Sequence, residues 1–397
     1  MKIAFVIPWY GANISGGSES ACRNLAERMV KSGETVDVIT TCVKDFHSDW
    51  SVNYHKPGSE QINGVKVIRF KARKRDTALF DSVNKKLMDN IPISLEEEDI
   101  YLKEMVNSPE LERYLSRNKD QYKAFVFTPY MFGTTYHGVQ QVYEKAILFP
   151  AFHDESYAYF QRFKEVYSKV KGIVFNSLAE LEWAEEHYNI GHISKQVIGL
   201  GVEQFITDSE DFRQKFGIKD PFILYAGRRD PGKNVNKLIH YFLNYKKNRP
   251  DSEMKLVLLG GGESSKGIKG ENSIYDLGFV SEEDKYNAYS AACFFCNPSS
   301  FESFSIVIME SWYAKRPVLV YEKCNVTKKF AEESNGGLYF SNYAEFEACV
   351  DLLTENHNLA DKMGLNGYHF VNSRFSWDRV IANYKEFIEI SINKENS

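Results

Sequence analysis

Two carboxylates, Glu302 and Glu310, stand eight residues apart after a turn-forming run at 297–300. Proline and serine in that run end a predicted strand, and the apolar spacing that follows predicts a helix over 306–314. Glu302 then lies in the loop and Glu310 inside the helix. A fixed carboxylate one turn into a helix can accept hydrogen bonds from a ribose diol, so the pair predicts a ligand site.

The start of this predicted helix suits an anion. The backbone amides of Phe304, Ser305 and Ile306 lie at its N-terminus, where unpaired N–H groups and the helix dipole favour a group such as a diphosphate. Glu302 would face the remainder of the ligand. The alternative is an ordinary helix with one solvated glutamate and one capping glutamate.

Two cations follow a second predicted strand, which begins at Phe222 and ends at Gly227. Arg228 and Lys233 lie in the loop after it, at the carboxyl end of the strand. Ligands of open α/β sheets bind outside the carboxyl ends of strands, and two cations there suit a diphosphate whose charge must be stabilised as it leaves. The neighbouring Arg229 is predicted to lie on the surface. An ordinary solvated loop is the alternative.

The chain opens with a compact β-α-β unit, in which a strand over 2–8 leads through Gly16 and Gly17 into a helix. Glycines at a strand's carboxyl end let a ligand approach the backbone closely. The loop is not a P-loop, because Gly17 stands where the phosphate-binding lysine must be, and no Gly-x-Gly-x-x-Gly appears. Plain turns are the alternative for these glycines.

Two further strand ends carry candidate residues. A strand predicted over 146–152 delivers His153 to its end, where an imidazole can bond a sugar hydroxyl, although a structural histidine is the alternative. A strand over 255–259 is followed by a glycine run that ends at Gly262, a second place for close approach to the backbone.

Taken in order, these motifs resemble the retaining glycosyltransferases with two Rossmann-like domains (GT-B), and within them family 4, the glycosyl transferases group 1. The resemblance covers nearly the whole chain. It implies that Arg228, Lys233 and Glu302 act on the donor sugar and its diphosphate, that Glu310 holds the ribose, and that His153 contacts the sugar or the acceptor.

The resemblance also assigns the remaining elements. Gly16 and Gly17, within Gly-Gly-x-Glu, would line the cleft opposite the donor, and Gly262 would lie near the phosphates. Phe279 and Val280 would border the nucleotide base. The family often has glycine where this chain has Ser303 and Ser305, which leaves the identity of the donor sugar open.

Strands and helices alternate in two blocks, which predicts an α/β fold with parallel sheets covered on both faces. The resemblance implies two Rossmann-like domains facing across a cleft, with 1–201 on the acceptor side and 202–374 binding the nucleotide sugar. A final helix over 375–397 would cross back onto the first domain. Residues 72–122 are predicted to form a helical insertion beside the acceptor cleft, with a capping box at 94–97.

Composition limits the function classes. The 397 residues are 43% hydrophobic, which is enough for two cores, and a net charge of −5 argues against a nucleic-acid partner. The apolar runs are strand-sized, and the start lacks the pattern of a signal peptide. Six cysteines, whose one Cys-x-x-Cys pair has no completing ligands, predict a reduced cytoplasmic protein without a metal site.

A basic run at 71–75 offers a second partner. It could meet anionic lipid headgroups or a lipid diphosphate at the inner face of a membrane. Solvated surface charge is the alternative.

The resemblance implies an enzyme that moves a sugar from a UDP- or GDP-linked donor to a glycan or lipid-linked acceptor, in the synthesis of a surface polysaccharide, lipopolysaccharide or glycolipid. It implies front-face transfer with retention of configuration. No Asp-x-Asp motif occurs, so neither a metal ion nor another cofactor is expected. Two alternatives stand: a catalytically silent protein that binds nucleotide sugar or glycan, and a sugar-nucleotide epimerase or hydrolase on the same architecture.

Overall fold

The computed structural model of the protein describes residues 1–14, 16–229, 231–262 and 271–394. The chain divides into two compact units. Unit 1 comprises Met1–Gly199 and Asp378–Ser397, and unit 2 comprises Leu200–Trp377. The sequence prediction of domains at 1–201, 202–374 and 375–397 places the first boundary two residues later and the second boundary three residues earlier. The last three residues of the predicted final helix lie outside the described part of the chain.

Unit 1 is an α/β layer structure whose described strands form an eight-stranded sheet in the order β3-β4-β2-β1-β5-β6-β7-β8. The strands are β1 (Lys2–Val6), β2 (Thr35–Thr41), β3 (Gly58–Ile62), β4 (Val65–Phe70), β5 (Ala124–Phe127), β6 (Ala146–Leu148), β7 (Gly172–Phe175) and β8 (Ser194–Val197). The helices are α1 (Gly17–Lys31), α2 (Thr77–Met88), α3 (Leu95–Glu104), α4 (Pro109–Asn118), α5 (Gly133–Val139), α6 (Gln161–Tyr167) and α7 (Leu178–His187).

The sheet of unit 1 differs from the expected parallel sheet at one edge. β3 pairs with β4 in antiparallel register. The two strands are joined by Asn63 and Gly64, both at positive φ, 50° and 83°. Two such residues favour a tight hairpin turn whose twist matches that of the strands. This edge is therefore a hairpin rather than a βαβ crossover.

The predicted strand over 146–152 is too long. β6 ends at Leu148, because Pro150 has no amide for the ladder and Ala151 has a φ of 54°. His153 consequently lies on a loop, five residues beyond the strand.

The insertion predicted over 72–122 is helical and contains α2, α3 and α4. Ser94 and Glu97 form the expected capping box at the start of α3. Apolar side chains of these helices are buried, with Leu102, Leu111 and Leu115 each no more than 1% exposed. The insertion therefore packs onto the core of unit 1 instead of projecting from it.

Unit 2 is a second α/β layer structure. Its described strands form a six-stranded parallel sheet in the order β11-β10-β9-β12-β13-β14. The strands are β9 (Phe222–Ala226), β10 (Lys255–Leu259), β11 (Ile274–Gly278), β12 (Phe294–Asn297), β13 (Val318–Tyr321) and β14 (Gly337–Phe340). The helices are α8 (Ser209–Phe216), α9 (Val235–Asn248), α10 (Glu282–Ala291), α11 (Ile306–Tyr313), α12 (Asn325–Ser334), α13 (Tyr343–Glu355) and α14 (His357–Arg374).

Helix α11, which carries Glu310, is fixed from two sides. The indole N–H of Trp312 donates to the carbonyl of Gly336 at 2.8 Å. On α14, a side chain at Gly367 would come within 2.1 Å of the Trp312 ring, so only glycine allows the two helices to approach this closely. The position of Glu310 is therefore set by the core of unit 2.

The last helix, α15 (Trp377–Asn393), belongs to unit 1 from Asp378 onward. Phe387 packs against Gly172 of β7, and the Lys385 ammonium lies 2.6 Å from a carboxylate oxygen of Glu34. The chain therefore returns from unit 2 to unit 1, as predicted. No helix within the described ranges is long and apolar enough to cross a membrane.

Candidate active site

Four neighbouring strands of unit 2 deliver the predicted donor-site residues to one edge of the sheet. The strands β11, β10, β9 and β12 are adjacent and parallel, so their carboxyl ends meet along that edge. The candidate residues of this edge follow them in the order Phe279, Gly262, Arg228 with Lys233, and Glu302. The edge corresponds to the position where open α/β sheets bind ligands.

Lys233 and Glu302 form an ion pair. The ammonium nitrogen of Lys233 lies 2.8 Å from Oε1 of Glu302. The Glu302 side chain is 11% exposed and that of Lys233 is 22% exposed. Charges removed from water to this extent interact more strongly than surface charges. Two side chains 69 residues apart in sequence, predicted to act on one ligand, thus lie in direct contact.

Two asparagines, which the sequence analysis did not single out, hold the loops around this pair. Asn297, at the end of β12, donates from Nδ2 to Glu302 Oε1 at 3.3 Å and to Ser305 Oγ at 2.8 Å. Asn234 donates to Ser300 Oγ at 2.6 Å and to the carbonyl of Pro298 at 3.1 Å. These bonds fix the loop after β9 to the loop after β12.

Helix α11 begins at Ile306, as predicted, but the amides of Phe304 and Ser305 lie before it. Ser305 is the N-cap residue, with φ 64° and ψ 70°, and its side chain makes no capping bond. The Ile308 amide donates to the carbonyl of Ser305 at 3.1 Å. The helix amides available to an anion are therefore those of Ile306 and Val307.

Glu310 is 6% exposed and lies one turn into α11. Its two carboxylate oxygens accept from the Lys285 ammonium at 2.8 Å and from the Tyr289 hydroxyl at 3.0 Å. Burial raises the pKa of the Glu310 carboxyl, and the Lys285 ammonium opposes that rise. The carboxylate is thus held in one orientation, with lone pairs remaining on both oxygens.

The glycines after β9 and β10 let these two loops touch each other. A side chain at Gly262, whose φ is 131°, would come within 2.6 Å of Cβ of Arg229, and one at Gly260 within 2.2 Å of the carbonyl of Gly227. Arg228 is exposed. The predicted surface position of Arg229 is wrong, because its side chain is 4% exposed and forms an ion pair with Asp276 across the strand ends.

Phe279 follows β11 directly and is 85% exposed. A side chain at Gly261 would come within 2.2 Å of the Phe279 ring, so the ring lies over the glycine loop after β10. Val280, the second residue predicted to border a base, is partly exposed. An exposed aromatic ring beside a backbone loop gives a flat surface for stacking.

In unit 1, the two glycines of the first loop have different surroundings. A side chain at Gly16, whose φ is 148°, would come within 2.0 Å of the Glu19 carboxylate, whereas the space beside Gly17 is open for 4 Å. Glu19 accepts from the indole N–H of the buried Trp9 at 2.6 Å. The room at Gly16 is therefore filled by the chain's own carboxylate, and Gly17 is the glycine that a ligand can approach.

His153 is partly exposed on the loop after β6. The residue before it, Phe152, donates its amide to Glu180 at 2.7 Å, and the other Glu180 oxygen accepts from the Asn176 amide, also at 2.7 Å. Glu180 thus ties the loop after β6 to the loop after β7. Burial raises the pKa of this carboxyl to about 8, although the hydrogen bonds from the two backbone amides lower it.

The basic run at 71–75 is not a row of solvated charges. The Arg73 guanidinium pairs with Glu104, and that of Arg75 lies 4.7 Å from the ring centroid of Trp50 and 4.2 Å from that of Phe80. Lys71 and Lys74 are exposed. Two of the four cations are therefore engaged in the packing of unit 1.

The structure therefore brings together Lys233 and Glu302, and separately Gly262, Arg229 and the neighbourhood of Phe279. The signal for Asn297 was present in the sequence, as a polar residue at a strand end, whereas Glu180 lies inside a helix and gave none. Among the residues that the structure describes, no group of three or more His, Cys, Asp and Glu side chains could hold a metal ion.

Comparison with known proteins connects this edge to one family. Residues 208–370 match the family described as glycosyl transferases group 1. The chain is 25% identical to an uncharacterised glycosyltransferase of Methanocaldococcus jannaschii over 423 aligned residues, which cover 96% of each protein. It is 32% identical over 157 residues, 37% of this chain and 40% of the relative, to the N-acetylgalactosamine-N,N'-diacetylbacillosaminyl-diphospho-undecaprenol 4-alpha-N-acetylgalactosaminyltransferase of Campylobacter jejuni.

Solved structures share the fold. Sucrose-phosphate synthase of Thermosynechococcus elongatus superposes with a TM-score of 0.70 at 15% identity, covering 98% of both chains. HepE of Anabaena, in complex with UDP and glucose, gives a TM-score of 0.66 at 15% identity, covering 98% of this chain and 99% of the other. The predicted fold of two Rossmann-like domains is confirmed by these likenesses.

Proposed function

We propose that this chain, whose residues 208–370 match the glycosyl transferases group 1, is a retaining enzyme that transfers a sugar from a nucleotide-diphosphate sugar to a glycan or lipid-linked acceptor. The observation that carries the proposal is the Lys233–Glu302 pair, held at 2.8 Å beside the start of α11 and next to the strand end that bears Arg228. Cations, helix amides and a fixed carboxylate on one edge suit an ionised diphosphate joined to a polyhydroxyl ring.

In the proposed reaction the acceptor hydroxyl oxygen bonds to the anomeric carbon as the bond from that carbon to the donor phosphate breaks. The departing phosphate oxygen takes the acceptor proton, on the same face of the sugar, so configuration is retained. Lys233, Arg228 and the amides of Ile306 and Val307 stabilise the charge on the leaving diphosphate. Glu302 bonds sugar hydroxyls, and His153 contacts the sugar or the acceptor.

The nucleotide is assigned to the other positions of the same edge. Glu310 accepts the ribose hydroxyls through lone pairs that Lys285 and Tyr289 leave available. The base stacks on the exposed ring of Phe279 beside Val280, and the phosphates pass the loop at Gly262. The Anabaena structure holds UDP and glucose, which supports a UDP-linked donor over a GDP-linked one.

Transfer is proposed to need no divalent metal and no other cofactor, because side-chain cations and helix amides supply the positive charge that a metal ion would otherwise supply. We place the enzyme in the cytoplasm, in the synthesis of a surface polysaccharide, lipopolysaccharide or glycolipid. The Campylobacter relative is named for its action on a diphospho-undecaprenol-linked sugar, which supports a lipid-linked acceptor.

A nucleotide-sugar screen tests the proposal. UDP- and GDP-linked sugars are ranked by thermal stabilisation of the whole chain, and the best donor is incubated with lipid-linked and free glycans, with and without chelator. Transfer with retained configuration in both media is expected. Loss of transfer with chelator, restored by magnesium or manganese, would contradict the metal-independent route. Donor turnover without acceptor would indicate an epimerase or hydrolase, and binding without turnover a silent protein.

Glu310→Ala provides an internal check on the nucleotide assignment. Loss of the ribose acceptor is expected to weaken nucleotide affinity about tenfold, the effect of losing about 1.4 kcal/mol. Because Glu310 also holds Lys285 and Tyr289, Lys285→Ala is measured alongside. An affinity unchanged by Glu310→Ala would remove the ribose role.

A further inference from the structure

A second concave site lies wholly within unit 1. It is a cavity of about 420 Å³ between the connection of α2 to α3 and the segment that follows His153. The first wall contains Leu87 and 90–93, the second contains 154–156, Tyr159 and Phe160, and Glu98 lies between them. We call it the insertion cavity. Its volume falls within the range of small-molecule sites, about 300–1,000 Å³.

The two walls are bonded to each other, so the cavity is a formed feature of the fold. Ser156 donates its hydroxyl to the carbonyl of Leu87 at 2.9 Å. The buried Glu98 carboxylate accepts from the amides of Gln161 and Arg162 at 3.0 and 2.9 Å, which fixes the start of α6 against α3. A ligand would therefore meet a preorganised site and cause little loss of protein entropy on binding.

The lining combines apolar surface with hydrogen-bond acceptors. Tyr159 is 39% exposed and Ile91 is 48% exposed. Tyr159 donates its hydroxyl to Oδ1 of the exposed Asp154 at 2.6 Å, which orients that carboxylate. Ionised carboxylates only accept hydrogen bonds. A suitable ligand must present an apolar face to the tyrosine ring and hydroxyl or ammonium donors to the carboxylate.

The charge of the lining is of one sign. Glu98, Asp154 and Glu155 are lining residues, and no Lys or Arg is among them. Neighbouring cations are committed elsewhere: Arg162 bonds Asp99 at 2.8 Å, and Lys86 pairs with Glu97. Lys164 lies 6.0 Å from the ring centroid of Tyr159, outside the lining. An anionic ligand would face repulsion here, because like charges close together interact unfavourably.

We propose that the insertion cavity binds a neutral or amino-bearing sugar and excludes phosphorylated or carboxylated sugars. In the proposed enzyme this sugar is part of the acceptor glycan, since Asp154 directly follows His153 in the chain. That assignment rests on the proposed transferase function, whereas the binding of the sugar itself does not.

Saturation-transfer NMR with the full chain tests this directly. The probes are N-acetylglucosamine, glucosamine, N-acetylglucosamine 6-phosphate and glucuronic acid. Tyr159→Ala and Asp154→Asn are expected to lower affinity for the first two at least about fivefold. Only binding that these variants change is assigned to the cavity. Asp154→Lys should lose glucosamine and gain the phosphorylated sugar.

Two matched controls are available. Tyr339, on unit 2, is 40% exposed and has Lys328 4.6 Å from its ring centroid, so Tyr339→Ala removes a similar tyrosine elsewhere. Asp120, with a side chain 92% exposed, supplies Asp120→Asn. Both should bind the sugars as the wild type does. Equal sugar affinity in wild type and cavity variants, no binding of either uncharged or amino sugar, or equally variant-dependent binding of the phosphorylated sugar would overturn the proposal.

The outcome is separable from the fate of the transferase proposal. Variant-dependent sugar binding in a protein that neither binds nor consumes a nucleotide sugar would leave the cavity standing and remove the transferase. Transfer activity with sugar affinities unaffected by Tyr159→Ala and Asp154→Asn would do the reverse.

Discussion

The carboxyl edges of the two sheets hold their polar side chains in different ways. In unit 2, opposite charges form ion pairs, Lys233 with Glu302 between two loops and Lys285 with Glu310 between α10 and α11, each at 2.8 Å. In unit 1, Glu180 is buried and bonded to two backbone amides. A ligand's charges can replace one partner of an ion pair, but they cannot replace a backbone amide. Substitutions of the paired charges in unit 2 should therefore change chemistry, and substitution of Glu180 in unit 1 should change stability.

The largest effect is expected from the charged residues of unit 2. Glu302→Gln, Lys233→Ala and Arg228→Ala should each lower transfer by roughly tenfold to a thousandfold, as the loss of a group that stabilises transition-state charge does. The fold should remain cooperative. Initial rates and thermal unfolding are measured for each variant.

Lys215→Ala is the matched control, because Lys215 forms an ion pair with Asp284 at 2.6 Å between α8 and α10 and has no assigned role in the donor site. It should retain near-wild-type transfer. Wild-type rates in all three site variants would end the assignment of this edge to the donor.

The contrasting prediction concerns Glu180 in unit 1. Its folded pKa of about 8 lies above the ordinary 4.5, so between these values the folded chain keeps a proton that the unfolded chain has lost. Stability contributed by this group is therefore full below about pH 4.5 and falls as pH rises toward 8, by up to about 1.4 kcal/mol per pH unit. Glu180→Gln, which cannot ionise, should flatten this slope.

Chemical denaturation from pH 5 to 9 measures the effect. Glu186→Gln, at an exposed position of the same helix, should keep the wild-type slope. If the free energy of unfolding of Glu180→Gln depends on pH as that of the wild type does, the pKa of this carboxyl is the same in the folded and unfolded chain. The contrast between the two edges would then lack its main evidence in unit 1.

The two edges also differ in how far their contacts could be predicted from the sequence. In unit 2 the motifs are local. Lys233 lies in the loop after β9, Glu302 lies in the loop after β12, and α11 begins at the predicted residue. Strand ends along one edge of a parallel sheet meet in space, so local patterns predict a non-local site. The burial of Arg229 was missed because Asp276, its partner, lies 47 residues away in a strand with no distinctive pattern.

In unit 1 the decisive contacts were not readable in this way. Glu180 lies in a helix whose sequence pattern would equally suit an exposed glutamate. Its partners are backbone amides, which every residue except proline has, so the sequence does not reveal them. In the sequence Arg75 is one of several neighbouring basic residues, but in the structure its guanidinium packs against two aromatic rings. The hairpin at Asn63 and Gly64 was readable, because Asn-Gly is a strong signal for a tight turn.

A smaller effect is expected at the backbone of the donor edge. Ser305 adopts the left-handed conformation with φ 64°, which costs a side-chain-bearing residue about 1 kcal/mol relative to glycine. Ser305→Gly and Ser305→Ala both lose the bond from Asn297, so Ser305→Gly should be the more stable of the two by about 1 kcal/mol. Ser311, within α11, should show the opposite order. Urea unfolding measures the stability of the four variants. If Ser305→Ala were more stable than Ser305→Gly, the proposed backbone strain at Ser305 would be contradicted.

The smallest effect is expected at the basic run of unit 1. A membrane-binding patch gains about 1 kcal/mol per exposed cation and needs several of them, but Arg73 and Arg75 are engaged within the fold, which leaves Lys71 and Lys74. Replacing both lysines by serine should therefore change binding to anionic vesicles by less than about twofold, whereas a working patch would lose about 2 kcal/mol, roughly thirtyfold.

Sedimentation with vesicles at low and moderate salt distinguishes the two outcomes, because surface attraction weakens as salt is added. Arg75→Ser serves as the structural counterpart: it removes the contacts to Trp50 and Phe80 and should lower the free energy of unfolding by about 1 kcal/mol. A thirtyfold, salt-sensitive loss of vesicle binding on replacing Lys71 and Lys74 would show that the basic run serves membrane recognition. The contrast between the two units would then apply only to the residues at the strand ends.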